Sequence, residues 1–475
     1  MFFFLVHLYR FARFFSHFVF PSYMTKRQKV LGSGAYGEVA PYLKGTVVKT
    51  FKEGVCTYSQ IREIAFYRYL EDLPGVIKFE GFGPRCIFLQ RALHDMSRFV
   101  TLDSDSIDRY VVQILETLSE LHKRCVLHRD LKLPNLLIDQ DNRVRFCDLG
   151  SFRMVSGKSD QLELTNPVCT LDSRAPEIVL GSTSYTDKSD VWSLGICILS
   201  LCSRKSRLTN NRDHDSEKKT RLEMLRWFCV LCGYPEVKKA LWHNQNFQDL
   251  LPRMTHQLYR YQGPDFVWDD DLKVTPRRSL DTNDLNTVFR PRTFSPMVSY
   301  LLRRCLVMDP TKRASCHELL CHVRGHTVRP ELKIPTFSPN CKPASGVRTE
   351  DWKNCYRLLN RFQCVSYSTL FLTARLVVHR LKAYDTETVR CCLYLASQIY
   401  EDALFSTRYF KVTTNQVYAV LLRLDGRVLT DHEQIYIDLW QLGAKVSETI
   451  FEAMKTPQYF ELTPMQNIQK FTKKN

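Results

Sequence analysis

The chain has 475 residues, enough for more than one domain, and is 44% apolar and 12% aromatic, which excludes a disordered chain. Its net charge of +17 would suit nucleic acid or an anionic membrane, but no long Lys/Arg block of the arm type occurs, so the charge is read as solvated faces and no nucleic-acid partner is expected. The 17 cysteines, odd in number and scattered along apolar stretches, suit reduced thiols in an intracellular setting, cytoplasmic or nuclear.

Met1 to Phe20 is rich in Phe, but Arg10, Arg13, His7 and His17 leave no uncharged span of ~18 residues, and neither a basic lead nor a small-residue cleavage site is present. Two readings stand: a weak interfacial contact with a membrane, or a dispensable extension at residues 1–23 with synthesis starting at Met24. Leu31-Gly32-Ser33-Gly34-Ala35-Tyr36-Gly37-Glu38-Val39 follows, with glycines in G-x-G-x-x-G-x-V spacing. No helix pattern comes after it. A turn at Tyr42 to Gly45 leads to the β-branched run Thr46 to Lys49, so the glycines are predicted to join two strands. Such a loop covers phosphates with backbone N–H groups, whereas the dinucleotide fingerprint needs a helix after the turn.

Lys49 ends an apolar run and is predicted to point inward, where an ammonium needs a carboxylate or phosphate partner. Glu63 is the natural partner. Thr57-x-x-Gln60 reads as a capping box, and the helical spacing of Ile61 to Leu70 puts Glu63, Phe66 and Leu70 on one face. Cys86 to Gln90 reads as a buried strand running into Arg91-Ala92-Leu93, a hinge whose backbone suits hydrogen bonds to an adenine. From Ile107 to Lys123 the pattern is amphipathic, with Val111, Ile114, Leu115, Leu118 and Leu121 on one face.

His128-Arg129-Asp130-Leu131-Lys132-Leu133-Pro134-Asn135 comes next, then the strand Arg143 to Cys147, then Asp148-Leu149-Gly150. These are the parts needed to move a phosphoryl group. Asp130 can orient or accept a hydroxyl proton, Lys132 can neutralise charge on the phosphate in flight, and Asn135 and Asp148 are oxygen donors for Mg²⁺. Further on, Ser203 to Arg221 reads as a polar loop between helices. Cys229-x-x-Cys232 sits in an apolar run with no second pair at zinc spacing, and reads as a buried structural pair. Four prolines between Arg329 and Thr349 mark a linker. Residues 351–456 carry only helical stripes: Leu370, Ala374, Val377 and Leu381; Val389, Cys392, Leu393, Ala396 and Tyr400; Val417, Val420, Leu421, Leu424 and Val428; Leu439, Leu442, Val446 and Ile450. With Tyr356 to Leu359 that makes about five helices, a bundle.

The glycine loop, Lys49, Glu63, the Asp130 loop and Asp148-Leu149-Gly150, in this order, resemble eukaryotic protein kinases of the Ser/Thr type. Ala175-Pro176-Glu177, Asp190-Val191-Trp192-Ser193-Leu194-Gly195 and Leu306 to Arg313 extend the resemblance over about residues 24–325. The wording looks most like the cyclin-dependent group. Ser59-Gln60-Ile61-Arg62-Glu63 is close to the tail of that group's P-S-T-A-I-R-E helix, and Thr165 to Leu171 with Arg174 to Gly181 is close to its activation segment. Residues 264–292, with Asp269-Asp270-Asp271 and three prolines, match its long insert.

The resemblance implies an α+β, bilobal protein-kinase fold: a small antiparallel β lobe plus one helix, then a large, mostly helical lobe. It implies ATP and Mg²⁺ as cofactors and proteins as substrates. Lys49 would hold the α/β-phosphates and Glu63 would position Lys49, with Leu31, Gly32, Gly34, Gly37, Val39, Val47, Gln90 and Ala92 around the nucleotide. Asp148 and Asn135 would bind Mg²⁺, and Asp130, with Lys132 beside it, would act on the acceptor hydroxyl. Glu177 would pair with Arg313, and Asp190 would brace the catalytic loop. Thr165 stands where the group carries its activating phosphothreonine, whose phosphate would pair with Arg129; an ordinary exposed Thr is the other reading. Tyr36 matches an inhibitory phosphotyrosine position, with Ala35 in place of the usual Thr. Leu149 replaces the family's Phe and fills the same apolar slot, while Asp172-Ser173 replace an aromatic pair and leave open any preference for Pro after the target residue.

In the second half, Ser368 to Leu381 is similar to the second helix of a cyclin box and Cys392 to Asp402 to its third. This implies a kinase (24–325), a linker (326–350), an all-α, five-helix cyclin-like domain (351–456) and a polar tail (457–475) in one polypeptide. The domain, or a separate cyclin-like activator, would press the Ile61 to Leu70 helix inward and form the Lys49–Glu63 pair. Gln398 stands where cyclins carry a Lys and Asp425 roughly where they carry a Glu, so the docking chemistry does not carry over intact. The alternative is a catalytically weak scaffold that recruits partners through an unrelated helical tail.

Overall fold

Short β-branched and aromatic runs between turn formers build an antiparallel sheet in the order β1-β2-β3-β5-β4: β1 (Gly32–Ser33), β2 (Gly37–Pro41), β3 (Thr46–Phe51), β4 (Phe79–Gly83) and β5 (Cys86–Gln90). The computed structural model describes residues 30–33, 37–43, 45–52, 56–98, 102–154, 173–182, 186–203, 224–225, 227–229, 231–249, 266–268, 274–276, 295–326, 349–362, 365, 367–400 and 406–429. The expectations for Met1 to Phe20, Gly34, Tyr36, Thr165, the polar loop after Ser203 and the stripe Leu439 to Ile450 lie outside these residues. Side chains alternate across β3 and β5. Val47, Phe51, Ile87 and Leu89 join the main core, and Val48, Cys86 and Phe88 form a small cluster on the other face.

Helix α1 (Cys56–Tyr69) crosses the inner face of this sheet. Thr57 lies within the helix, so it is not its cap. Gln60 donates instead to the carbonyls of Gly83 and Cys86, at 2.8 and 3.2 Å, because acceptors in the β4–β5 hairpin outcompete a local capping box.

The larger lobe is built on α2 (Ser104–Lys123). Asp103 caps it, accepting the Ser106 N–H at 2.7 Å, so it starts three residues ahead of Ile107; its apolar stripe Val111, Ile114, Leu115, Leu118 and Leu121 is fully buried. Around it lie β6 (His94–Asp95), β7 (Val126–Leu127), β8 (Leu136–Ile138), β9 (Val144–Phe146) and β10 (Arg153–Met154), with β6-β8-β9 forming one small sheet and β7-β10 another. Helices α3 (Pro176–Val179), α4 (Lys188–Ser203), α5 (Tyr234–Leu241), α6 (Pro296–Cys305) and α7 (Cys316–Val323) also belong to it, and β11 (Phe266–Trp268) pairs with β12 (Val274–Pro276) within the predicted insert.

Among the described residues four further α-helices follow: α8 (Thr349–Leu359), α9 (Tyr367–Arg375), α10 (Thr386–Tyr400) and α11 (Thr414–Arg423). The first begins at Thr349, inside the stretch read as linker. The stripe Leu370 to Leu381 is not one α-helix: from Leu376 to Leu381 the chain widens into a π-helix, which shifts the spacing and leaves Leu381 only partly buried. Helix α10 is central, packing on α8, α9, α11, α1 and β10.

Candidate active site

Lys49 is the one charged residue of β3, and alternation places it beside Val47 and Phe51 on the inner face. Its ammonium lies between two carboxylates, 2.5 Å from Glu63 Oε1 and 2.7 Å from Asp148 Oδ1. Burial opposes a charge on Lys49, but Glu63 and Asp148 raise its pKa, so the ammonium keeps its proton. Burial pushes the Glu63 carboxyl up to about 7 against the pull of Lys49. Burial would also raise Asp148, yet Lys49 holds it below the usual carboxylate range. Removing one partner of such a buried pair costs ~3–5 kcal/mol.

The segment after Asp148 is fastened to α1. The Asp148 N–H donates to the Tyr67 hydroxyl at 3.3 Å, and Asp148 itself is left-handed at φ 60°. A Cβ on Gly150 would stand 2.8 Å from Ser59 Oγ and 3.3 Å from Glu63 Oε1, so only glycine lets this segment lie so close to the helix. Leu149 is fully buried, and Phe152 packs edge-on to Phe66 and against His128.

The Asp130 loop is held from below by Asp190, in the first turn of α4. Its carboxylate accepts the N–H groups of His128 and Arg129, at 2.8 and 2.9 Å, and contacts His122 Nε2 at 3.1 Å. Burial would raise this carboxyl, but His122 and the loop keep it low. Arg129 sits at φ 63°, a conformation side chains rarely adopt, and its bond to Asp190 holds it there. The Asp130 N–H donates to His128 Nδ1 at 3.2 Å, which puts the ring proton on Nε2; burial pushes this imidazole down, toward the neutral form. Lys132 Nζ lies 2.6 Å from Asp130 Oδ2. Asn135 Nδ2 donates to the Asp130 carbonyl at 2.9 Å and to its Oδ2 at 3.2 Å. These donations fix the amide with its oxygen turned away from Asp130. Among the described residues neither that oxygen nor Asp148 Oδ2 has a hydrogen-bond partner, and an amide and a carboxylate are the hard oxygen donors that suit Mg²⁺.

The remaining residues are placed as follows. Gly32 in β1 and Gly37 and Val39 in β2 flank residues outside the description, with Leu31 exposed beside them; Val39 pairs across to Lys49, and Val47 pairs with Leu89. Beyond Gln90, at the end of β5, Arg91 N–H binds the Gly45 carbonyl and Leu93 N–H the Ile138 carbonyl, so Ala92 lies between two anchored residues. Glu177 and Arg313 form a two-pronged pair at 2.8 and 3.0 Å; Arg313 also donates to the carbonyls of Lys188, Val307 and Met308. Cys229 is buried and Cys232 donates to the Leu306 carbonyl.

The sequence reading expected a helical domain to press on α1 but did not name the residues that meet it. Arg62 Nε donates to the Gln398 carbonyl at 3.0 Å, so position 398 contributes its backbone. Arg68 donates to Asp425, at 3.0 Å to the carbonyl and 2.9 Å to the carboxylate. Arg427 grips Glu71 through both nitrogens, and Tyr418 meets Phe82 edge-on. Between Asp425 and Arg427 lies Gly426, at φ 72°; a Cβ there would come within 2.5 Å of Ile64 and 3.2 Å of Phe82. Arg153, on β10, reaches the Tyr400 carbonyl at 2.9 Å. The available signal was the polarity of α1 itself: polar residues inside a buried helix require partners.

Comparison with known proteins places the chain in a family. The protein kinase domain model matches residues 25–323, ending before α8. Extracellular signal-regulated kinase 1 of Candida albicans is 26% identical over 345 residues, covering 68% of this chain and 76% of that protein. Mitogen-activated protein kinase 6 of Arabidopsis thaliana is 28% identical over 332 residues, covering 64% and 75%. A probable cyclin-dependent serine/threonine-protein kinase of Dictyostelium discoideum is 30% identical over a shorter stretch of 230 residues, covering 48% of this chain and 30% of that one. Its relatives are Ser/Thr kinases and the match spans more than half of its length: the chain belongs to the protein kinase family.

Proposed function

We propose that this protein is an ATP- and Mg²⁺-dependent kinase that transfers the γ-phosphoryl group to Ser/Thr hydroxyls of proteins, is akin to cyclin-dependent kinases, and is activated in cis by its own cyclin-like helices. The supporting observation is the Lys49 ammonium held between Glu63 and Asp148 while α1 is gripped from behind by α10 and the loop after α11. Lys49 would take the α/β-phosphates, with the glycine strands above and the Gln90–Ala92 backbone at the base. Asn135 and Asp148 fit Mg²⁺, which when bound neutralises charge on the phosphates. Asp130 would orient the acceptor hydroxyl and accept its proton, and Lys132 would screen the charge that develops beside it. Asn135 fixes Asp130 through two hydrogen bonds, so alignment rather than covalent chemistry carries the reaction.

The test is transfer from ATP to a generic basic protein by the full chain. Transfer is expected with Mg²⁺, absent with a chelator, and lower by ~10²–10⁴-fold in Asp130→Asn. No transfer by the intact chain would leave the scaffold reading in place. Full activity after removal of residues 345–475 would refute activation in cis.

A further inference from the structure

Helix α8 carries its charges unevenly. Trp352, Cys355, Tyr356 and Leu359 are buried, and its acids are confined to the first turn, at Glu350 and Asp351. From Trp352 to Phe362 no acid follows, while Lys353, Arg357 and, just past the helix, Arg361 are exposed. Lys353 pairs with Glu350, and Arg357 donates to the Asn354 side chain at 3.0 Å.

Next to Arg361 the chain enters an aromatic cluster. Phe362 meets Tyr409 edge-on, with ring centroids 6.0 Å apart, and the fully buried Phe410 packs against both. Tyr409 is 42% exposed, the only exposed large apolar side chain among the described residues of 349–429. It stands on a compact turn ahead of α11. The N–H groups of Tyr409, Lys411 and Val412 close this turn on the carbonyls of Ser406, Arg408 and Thr407. Lys411 sits at φ 55°, a conformation side chains rarely adopt. From Ser406 to Thr413 there is again no acid, and Arg408 and Lys411 are exposed on either side of Tyr409-Phe410. Among the described residues none of Arg361, Arg408 and Lys411 has an ion-pair partner.

Cations near the end of α8 would answer the dipole of that helix. This accounts for Arg357 and Arg361. It does not account for Arg408 and Lys411, which come from another segment, or for a ring left in water beside them. An aromatic anchor with arginines around it is the composition of an interface centre, and the unanswered charge sets the sign of the partner.

We infer that this patch, Phe362 and Tyr409 with Arg357, Arg361, Arg408 and Lys411 around them, docks an acidic segment of a partner protein that carries one bulky apolar side chain among its carboxylates. The apolar side chain would lie on Tyr409 and Phe362, and the guanidiniums would take carboxylates two-pronged. Single-stranded nucleic acid fits less well. Successive bases need successive flat platforms, whereas here the Tyr409 ring meets its neighbours edge-on and is alone in its exposure. None of these residues belongs to the phosphoryl-transfer group, so the docking does not depend on the kinase reading.

The full chain, without ATP, is titrated with a fluorescein-labelled peptide of about ten Asp and Glu residues around one Trp, and binding is read by anisotropy. Micromolar binding is expected, as suits a small patch. It should weaken about tenfold when the peptide's Trp is replaced by Ser, and about tenfold or more in the chain with Arg408→Glu and Lys411→Glu. No binding up to about 1 mM peptide would overturn the inference. So would binding that the double variant leaves unchanged, since the peptide would then be held elsewhere on a chain of net charge +17. A single-stranded DNA of about 12 nucleotides that binds more tightly than the peptide, and is lost in the same variant, would overturn it in favour of nucleic acid. A dimer of the full chain in sedimentation that the variant dissociates would overturn it in favour of a second copy. Should the turn variant not fold, as judged by circular dichroism, Arg357→Glu with Arg361→Glu, on the other segment, is held to the same loss of about tenfold.

Discussion

Helices α1 and α2 are both buried, but for opposite reasons. α2 (Ser104–Lys123) is a scaffold: its apolar stripe faces the core, and its burial needs nothing but hydrophobic area. α1 (Cys56–Tyr69) has no clean stripe. From Ser59 to Tyr67 every residue is buried, and the polar ones go to different neighbours: Gln60 to the β4–β5 hairpin, Glu63 to Lys49, Tyr67 to Asp148, Arg62 to α10. A helix built in this way is positioned by what surrounds it. Its neighbours set its place, and its place sets the site.

That contrast can be broken at either helix. The largest effect is expected on stability: Leu118→Ala in α2 should cost ~2–5 kcal/mol in denaturant unfolding and leave kcat/KM of the folded fraction unchanged. Next is Glu63→Gln, which should lower kcat/KM for ATP about 100-fold in steady-state assays. Gly426→Val, which presses a side chain into Ile64 and Phe82, should reduce activity about tenfold while thermal unfolding of the kinase lobes hardly moves. The pH dependence follows from Glu63. Its folded pKa, about 7, is raised above the unfolded value of ~4.3, so the folded state binds the extra proton and this group's contribution to stability is lost as pH rises through that window. The Lys49 ion pair runs the other way and forms as pH rises, so kcat/KM for ATP should fall about tenfold per unit below pH 7, a limb missing in Glu63→Gln. The smallest effect belongs to Arg427→Ala. Its pair with Glu71 is solvent-exposed, so the change should be under about 1 kcal/mol by double-mutant cycle.

The two helices also differ in how much of each could be read from sequence. The α2 stripe was legible because hydrophobic periodicity is a local property. The Asp130 loop and Asp148-Leu149-Gly150 were legible because their spacing is set by chemistry. The role of Gln60 was not, since it finds its acceptors in a hairpin more than twenty residues away. Nor was the grip on Arg62 and Arg153, which uses backbone carbonyls, and any side chain at 398 or 400 leaves a carbonyl there. Gln398 looked like a lost contact because attention falls on side chains. The π-helix at Leu376–Leu381 was hidden for a related reason: a stripe of apolar residues does not reveal a change of pitch.

The hydroxyl of Tyr67 and the close seat of Gly150 against Ser59 have a pharmacological consequence. They join the Asp148 segment to α1, and α1 is clamped from behind, so turning that segment outward requires the whole stack to loosen. A small molecule that needs the outward arrangement would lose affinity by the fraction of molecules that reach it. Compounds that accept the inward posture and compete at the Ala92 backbone would carry no such penalty.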